Sequence, residues 1–355
     1  MNATIPLQAR YRGFGCPRTT CHAVNRCEDQ ASTRARMQAS IDRVHRQILA
    51  SKAFIGADLK LVVVPEYFLT GYPLGDSISG WAVKAALAID GPEYQRLGDL
   101  CRDCGVYLSG NAYELDLHFP GLYFQTSFII DDQGHLILRY RRLVSMFSPT
   151  PHDLWDRYLE IYGLEGVFPV ADTPLGRLAC VASEEILYPE IARSLALRGA
   201  EVLLHSSSEV SSTRLTPKDI AKRARAHENN CWLISANSAG MLDVDMPNQS
   251  VDGLSKVVDY LGEVRAEAGS GESMAAQANI DIGALRHYRA RPGMGNMLAR
   301  QRLELFAATY AGTVYPANTM LDAQGQVLQP ERAHFAQVQS STMASLVSRG
   351  VIASE

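Results

Sequence analysis

Residues 59–64 (LKLVVV) form a short, almost wholly apolar run that stops abruptly at Pro65-Glu66. A strand of that composition has both faces covered, which places it inside a largely parallel sheet flanked by helices. The preceding stretch follows a different period. Met37, Ile41, Val44 and Ile48 recur at helical spacing, after a polar Ser32-Thr33 start and before Gly56, a residue suited to a helix C-cap. The cycle returns with a helix near residues 93–104, a strand over 106–110 and a strand pair turning at Asp132-Gln133-Gly134 (YFQTSFIIDDQGHLILRY). A second series follows: strand 176–182, helix 189–198, strand 201–205, helix 217–230 and strand 231–236. A further strand pair around Gly262 (LSKVVDYLGEVRAEA) repeats the layout of the Gly134 pair. Alternating helix and strand periods predict the α/β class.

No linker rich in Pro, Gly or Ser divides the two series, so residues 1–285 are expected to form one domain. After about Gly283 the chain becomes Arg-rich (RHYRARPGMGNMLARQRLELFAATY), beyond the last sheet signal. Residues 286–355 are expected to be an arm that packs on another subunit and stabilises an oligomer. With 46% hydrophobic and 20% charged residues the chain has ample core material and lacks the signature of disorder. A net charge of -4 argues against nucleic acid or anionic membrane as partners. No apolar run approaches the roughly 18 to 20 residues of a spanning helix, and the first fifteen residues carry no apolar signal core. A cytoplasmic location is therefore expected.

Seven cysteines, an odd number spread over 355 residues, read as reduced thiols rather than a disulfide framework. Cys101 and Cys104 are expected to pack within a helix, and the spacing of Cys16, Cys21, His22 and Cys27 fits no standard zinc site. The stretches GSGES and GMGNM lack the strand-loop-helix context of a phosphate cradle. Neither a metal nor a cofactor is expected.

Three residues fall where strands end, the place where α/β sheets collect ligands and catalytic groups. Glu66 ends the first buried strand, Arg142 follows the Gly134 pair, and Ser183 ends the run RLACVA. Each has a plainer role available: a loop carboxylate, a surface cation, a helix cap.

Together, however, they carry a resemblance. VVVPEYFLTGYP, with a Pro-Glu after a buried strand and a T-G-Y turn next, resembles the first motif of the nitrilase, or carbon-nitrogen hydrolase, superfamily. ILRYRRL resembles the second motif, an arginine-lysine pair after a hairpin. SEEILYPEIAR resembles the third, which opens on cysteine, and the likeness continues through RAHENNCWLISANSAG and DGLSKVVDYLGEV, covering roughly residues 40 to 285. The resemblance implies a four-layer α-β-β-α sandwich whose subunits pair. The tail from about Asn279 is similar to that of the aliphatic amidase and formamidase branch, where such an arm interlocks a homodimer.

The implied chemistry is attack by a thiolate on an amide or nitrile carbon, with glutamate moving the proton and lysine steadying the developing negative charge. Glu66, Arg142 and Ser183 stand at the three positions. Backbone N–H groups near Glu184 are placed to face an oxyanion. Glu160, in RYLEIYG, is the first candidate for the family's supporting second glutamate, with Asp153 and Glu165 as alternatives. Glu184, Glu185 and Tyr188 are candidate substrate-binding residues, Glu185 equally open to a structural role. The expected partner is a small-molecule amide or nitrile.

Two positions depart from that pattern. Ser183 stands where the family has cysteine, and Cys180, three residues upstream, is expected on the other face of the strand. A thiol ionises near pKa ~8.5 and a serine hydroxyl far higher, so a glutamate adequate for sulfur is a weak base for oxygen. The chain as written is expected to be slow or inactive. Arg142 keeps a cation at the lysine position with a larger, planar fork. Gln125, in YFQTSF, stands where many relatives carry asparagine. Three accounts of the absent thiol are open at this level: a cysteine-to-serine replacement in an amidase, divergence into a binding or scaffold protein, or altered chemistry with Ser183 or a Glu66-activated water attacking.

Overall fold

Two six-stranded sheets lie face to face with helices over their outer surfaces, in α-β-β-α order. The structure is a computed structural model and describes residues 7–15 and 19–353, so Cys16 of the cysteine cluster lies outside the described residues. The first half contains β1 (Arg10–Phe14), β2 (Cys21–His22), α1 (Gln30–Ile55), β3 (Leu59–Val63), α2 (Ile78–Ala85), α3 (Pro92–Cys104), β4 (Tyr107–Leu115), β5 (Tyr123–Ile130) and β6 (Leu136–Arg141). Next come α4 (Trp155–Tyr162), β7 (Ala171–Thr173), β8 (Gly176–Ala182), α5 (Pro189–Leu197), β9 (Val202–Ser207), α6 (Pro217–Glu228) and β10 (Trp232–Asn237). The remainder is β11 (Met241–Leu242), β12 (Lys256–Val258), β13 (Val264–Glu267), β14 (Gln277–Asp281), α7 (Ile282–Arg289), α8 (Ala307–Tyr310) and α9 (Ala333–Ser348).

The sheets run β14-β1-β3-β4-β5-β6 and β13-β12-β10-β9-β8-β7. In each, three adjacent strands are parallel (β1, β3, β4 and β10, β9, β8) and the flanking strands are antiparallel. This layout explains the apolar runs. In β3 every residue but Lys60 is buried, because one face meets the second sheet and the other meets the helices. Each such Val or Leu contributes about 1.5–3 kcal/mol of burial. Helix ends follow local chemistry: Asp29 caps α1 by accepting from Ser32 N, and Gly105, at φ 58, closes α3 in the left-handed region where a Cβ is disfavoured. Cys101 and Cys104 pack inside α3 as expected, both buried.

The edges are where sequence and structure differ. Neither β1 nor β14 is foreshadowed by the sequence pattern. They pair with each other, and β14 (QANID) is mostly part-exposed, so it shows no apolar run. Asn318 N and Met320 N donate to the carbonyls of His152 and Asp153, and Met320 and Phe335 are buried in the core, so the arm packs on its own body. Leu305, Phe306, Tyr310 and Met343 remain exposed along it.

Candidate functional site

The carboxyl ends of β3, β8 and β9 meet between the two sheets. Glu66 N–H donates to Ser207 O at 3.3 Å, and Ser206 Oγ to Val64 O at 2.8 Å, which stitches the strand ends of one sheet to those of the other. At this junction a cavity of about 460 Å³ is lined by Glu66, Tyr67, Tyr113, Gln125, Arg142, Ser183, Glu184, Lys218 and Arg332, among others. Residues 66, 142 and 183 therefore share one cavity, although they lie far apart in sequence.

Glu66 is 1% exposed. Its Oε1 accepts from Gln125 Nε2 at 2.5 Å and from Arg142 Nη1 at 3.4 Å, while Oε2 is buried without a hydrogen-bond partner among the described residues. A buried acceptor without a donor costs free energy, and Glu66 itself lines the cavity, so a substrate donor that reached Oε2 would recover that cost. Gln125 holds the carboxylate in place: its amide also donates to Asn111 Oδ1 at 3.1 Å, and its Oε1 accepts from Arg142 Nη1 at 2.7 Å.

Arg142 follows β6, with its N–H bonded to Gln125 O. Nε donates to Val144 O at 2.7 Å and Nη2 to Glu184 Oε1. Burial works against the charge, but Tyr67, Glu66 and Glu184 outweigh it and hold the guanidinium above its usual pKa, so it is permanently cationic. The planar fork thus has its own set of acceptors, which a lysine could not all reach.

Ser183 has φ 48, a left-handed backbone that a residue with a Cβ adopts at a cost of about 1–3 kcal/mol. Tyr67, immediately after Glu66, is also left-handed at φ 61. Both strand ends bordering the cavity thus carry strained turns. At Ser183 the turn is pinned by His205, whose Nε2 donates to Ser183 O at 2.8 Å while Nδ1 accepts from Ser235 Oγ at 2.9 Å. A carbonyl only accepts, so the imidazole is the Nε2–H tautomer. Burial holds its pKa well below the usual histidine value, reinforced by Lys222, and it stays neutral.

Lys218 Nζ donates to Ser183 Oγ at 3.3 Å and to Ser208 O at 3.4 Å. It sits in the first turn of α6, after the Thr216 cap and Pro217. Burial depresses its pKa, with Lys222 and Arg142 reinforcing and Glu66 and Glu209 opposing. Sequence reasoning missed Lys218, His205 and Arg332. For Lys218 the signal was a cation at a helix N-terminus, where the helix dipole disfavours it.

The other candidates separate. Glu184 lines the cavity through its pairing with Arg142. Glu185 is fully buried and lies outside the cavity lining. Its Oε1 accepts from Leu143 N at 2.6 Å and Val144 N at 3.0 Å, and its Oε2 accepts from Tyr140 Oη at 2.7 Å. It holds the chain after Arg142. Tyr188 faces a neighbouring cavity of about 710 Å³ with Trp155, Phe168 and Phe335, and not the one at Ser183. Glu160 is exposed on α4, whose eight residues bury only Tyr158, so the expectation that it supports the site is corrected: its helix turns it to solvent. Of the alternatives, Asp153 caps the turn at Thr150 and binds Thr319, and exposed Glu165 pairs with Arg198. Cys180 packs between the sheets, Sγ 3.6 Å from Ser109 Oγ, with burial pushing its thiol up to about 12.

The family model described as Carbon-nitrogen hydrolase matches residues 16–290. The chain is 29% identical over 189 residues to a deaminated glutathione amidase of Yersinia enterocolitica, covering 52% of this chain and 64% of that one. It is 30% identical over 213 residues to a formamidase of Bacillus cereus (strain Q1), covering 59% and 58%. The match thus spans less than two thirds of these relatives' length. The crystal structure of Saccharomyces cerevisiae Nit3, described as a member of branch 10 of the nitrilase superfamily, superposes with a TM-score of 0.61 at 20% identity, covering 81% of this chain and 95% of that one, a likeness of fold. With most of its length matched by the family model and the two-sheet sandwich in place, the chain belongs to the carbon-nitrogen hydrolase family.

Proposed function

We propose that this protein hydrolyses a small-molecule amide, with residue 183 as the attacking position, Arg142 as the cation that steadies the developing oxyanion, and Glu66 as a proton carrier. The observation that carries this is the convergence of the three side chains on one cavity with the open Oε2 of Glu66 buried beside it. An amide carbon is a poor electrophile, so attack on it gains most from a fixed cation and a fixed base. Arg142 has five N–H groups, and the four hydrogen bonds it donates leave one Nη2 hydrogen for a substrate oxygen.

Amides are preferred over nitriles because the amidase and formamidase relatives lie on that side. The exposed apolar residues of the arm are the surface through which a homodimer forms. Ammonia release should be measured on short aliphatic amides, formamide, carbamoyl compounds and nitriles. Turnover of an amide that Ser183→Ala abolishes is expected, and Glu66→Gln should lower it by about 10²–10⁴-fold with the fold intact. If Ser183→Ala turns over the same amide at the parent rate, residue 183 is not the attacking position.

A further inference from the structure

We infer that Lys218 is the base that takes the Ser183 proton, so that this site attacks with a serine–lysine pair; this rests on Ser183 being the attacking residue. Nζ lies 3.3 Å from Oγ, and the left-handed turn at Ser183 together with the His205 bond holds the backbone that carries Oγ. The next lysine on the helix is held differently. Lys222, one turn further along α6, is ion-paired to Glu209 at 2.7 Å and Asp219 at 3.5 Å. Lys218 has no carboxylate within ion-pair distance among the described residues; its acceptors are a hydroxyl and the carbonyl of Ser208.

An ammonium at a helix N-terminus without a counter-ion is disfavoured, both by the dipole and by the loss of water. Burial lowers the Lys218 pKa accordingly. The charged groups around it are Glu66, Arg142 and Arg332 on the cavity wall, Glu184 beside Ser183, and Glu209, Asp219 and Lys222 around α6; His205 beneath is neutral. A neutral lysine also removes the difficulty posed by the missing thiol. Its amine is a far stronger base than Glu66, whose Oε1 is already engaged by Gln125 and Arg142.

In the first step Nζ accepts the Oγ proton as Oγ bonds to the amide carbon, and the carbonyl π pair moves onto oxygen. The ammonium returns that proton to the amide nitrogen as the C–N bond breaks, leaving an acyl ester on Ser183. Water then attacks the ester carbon as Glu66 takes its proton, and that proton passes through Lys218 to Oγ as the acid departs.

The test uses a fluorophosphonate that labels serine nucleophiles, read by intact mass. The parent should be labelled at Ser183, with a rate that rises with pH through a single ionisation below the ordinary lysine value of ~10.4. Lys218→Met and Lys218→Arg should both fall by about a hundredfold, since arginine keeps the charge but cannot act as a base. If Lys218→Arg is labelled at the parent rate, the inference is overturned while Ser183 keeps its place. A parent that is never labelled removes both. Independently, the ¹³Cε resonance of Lys218 in Ser183→Ala, assigned by its loss on Lys218→Met, should titrate below ~10.4; an ordinary titration overturns the inference without reference to labelling.

Discussion

Ser183→Cys tests the electrostatics of the site with a group whose ionisation can be observed directly. A cysteine sulfur placed where Ser183 Oγ now sits lies about 3.3 Å from Lys218 Nζ. A unit charge at that separation and an effective dielectric of about 20 stabilises a thiolate by roughly 5 kcal/mol, or about 3.5 pK units. Glu66 and Glu184 act in the opposite sense, and burial at this 5%-exposed position also favours the neutral thiol. The net expectation is a thiol pKa about 1 to 2 units below the free value of ~8.5, with the proton resting on Lys218 as a thiolate–ammonium pair. Thiolate ultraviolet absorbance against pH, with Ser183→Ala as the blank, measures it. Adding Lys218→Met should move the thiol back to ~8.5 or above. A thiol in Ser183→Cys that ionises at or above ~8.5 with Lys218 present, or that ignores its removal, refutes the electrostatic account. The same variant should hydrolyse short amides at least about tenfold faster than the parent, because sulfur is the better nucleophile. If the two are equally inert across the amide and nitrile panel, the proposed hydrolytic function fails.

Three further substitutions probe the residues that support the site. Arg142→Lys restores the cation type of the family yet abandons acceptors at Val144, Gln125 and Glu184, so a loss of about 2–4 kcal/mol is expected in urea melts; unchanged stability would show that the fork is dispensable. His205→Ala frees the Ser183 carbonyl and should lower kcat more than it raises KM. Because the folded His205 pKa is depressed, its stabilising effect is present above the unfolded value of ~6.5 and declines as pH falls below it, by up to about 1.4 kcal/mol per pH unit. The parent should show that acid slope and His205→Ala should lack it; parallel stability curves would contradict this. Glu185 has the opposite sign: burial raises its pKa from 4.5 to about 7, so the folded state holds the proton more tightly and stability falls as pH rises through that window. A rise of that size corresponds to roughly 3 kcal/mol, and Glu185→Gln should lose this dependence; a stability gap that stays constant from about pH 5 to about pH 8 would refute it.

The fold was legible because its central strands are covered on both faces. LKLVVV and RLACVA announce themselves by composition, and Glu66 and Ser183 are conspicuous because each is where such a run stops. β1 and β14 were not legible, since edge strands need only one buried face and carry a weak alternation. Glu160 was misplaced because an acidic residue in a short helix looks the same whether it turns inward or outward; the packing of Tyr158 decides which. Lys218 was passed over for the converse reason. TPKDIAKR reads as a capped, solvated helix start, and only the approach of α6 to the end of β9 takes that lysine out of water.

The arrangement of charge bears on what the cavity can accept. Lys222 is neutralised by Glu209 and Asp219, and Arg142 is shared between Glu66 and Glu184. With Arg332 also on the wall, the two carboxylates and two guanidiniums facing the cavity balance if Lys218 is neutral. Such a site has no surplus cation to hold a carboxylate near Ser183 and tolerates an uncharged amide, whose oxygen needs a single donor. Moving the Oγ proton to Lys218 during attack leaves the cavity's net charge unchanged but sets a second cation near the oxyanion as it forms, when it is of most use. If Lys218 is the base, a serine can stand where the resemblance places a cysteine because the helix that follows β9 delivers an amine to it. The two departures at positions 142 and 183 then bear on each other: burial lowers the Lys218 pKa, Glu66 and Glu209 oppose that, and the permanently charged arginine across the cavity adds to the lowering.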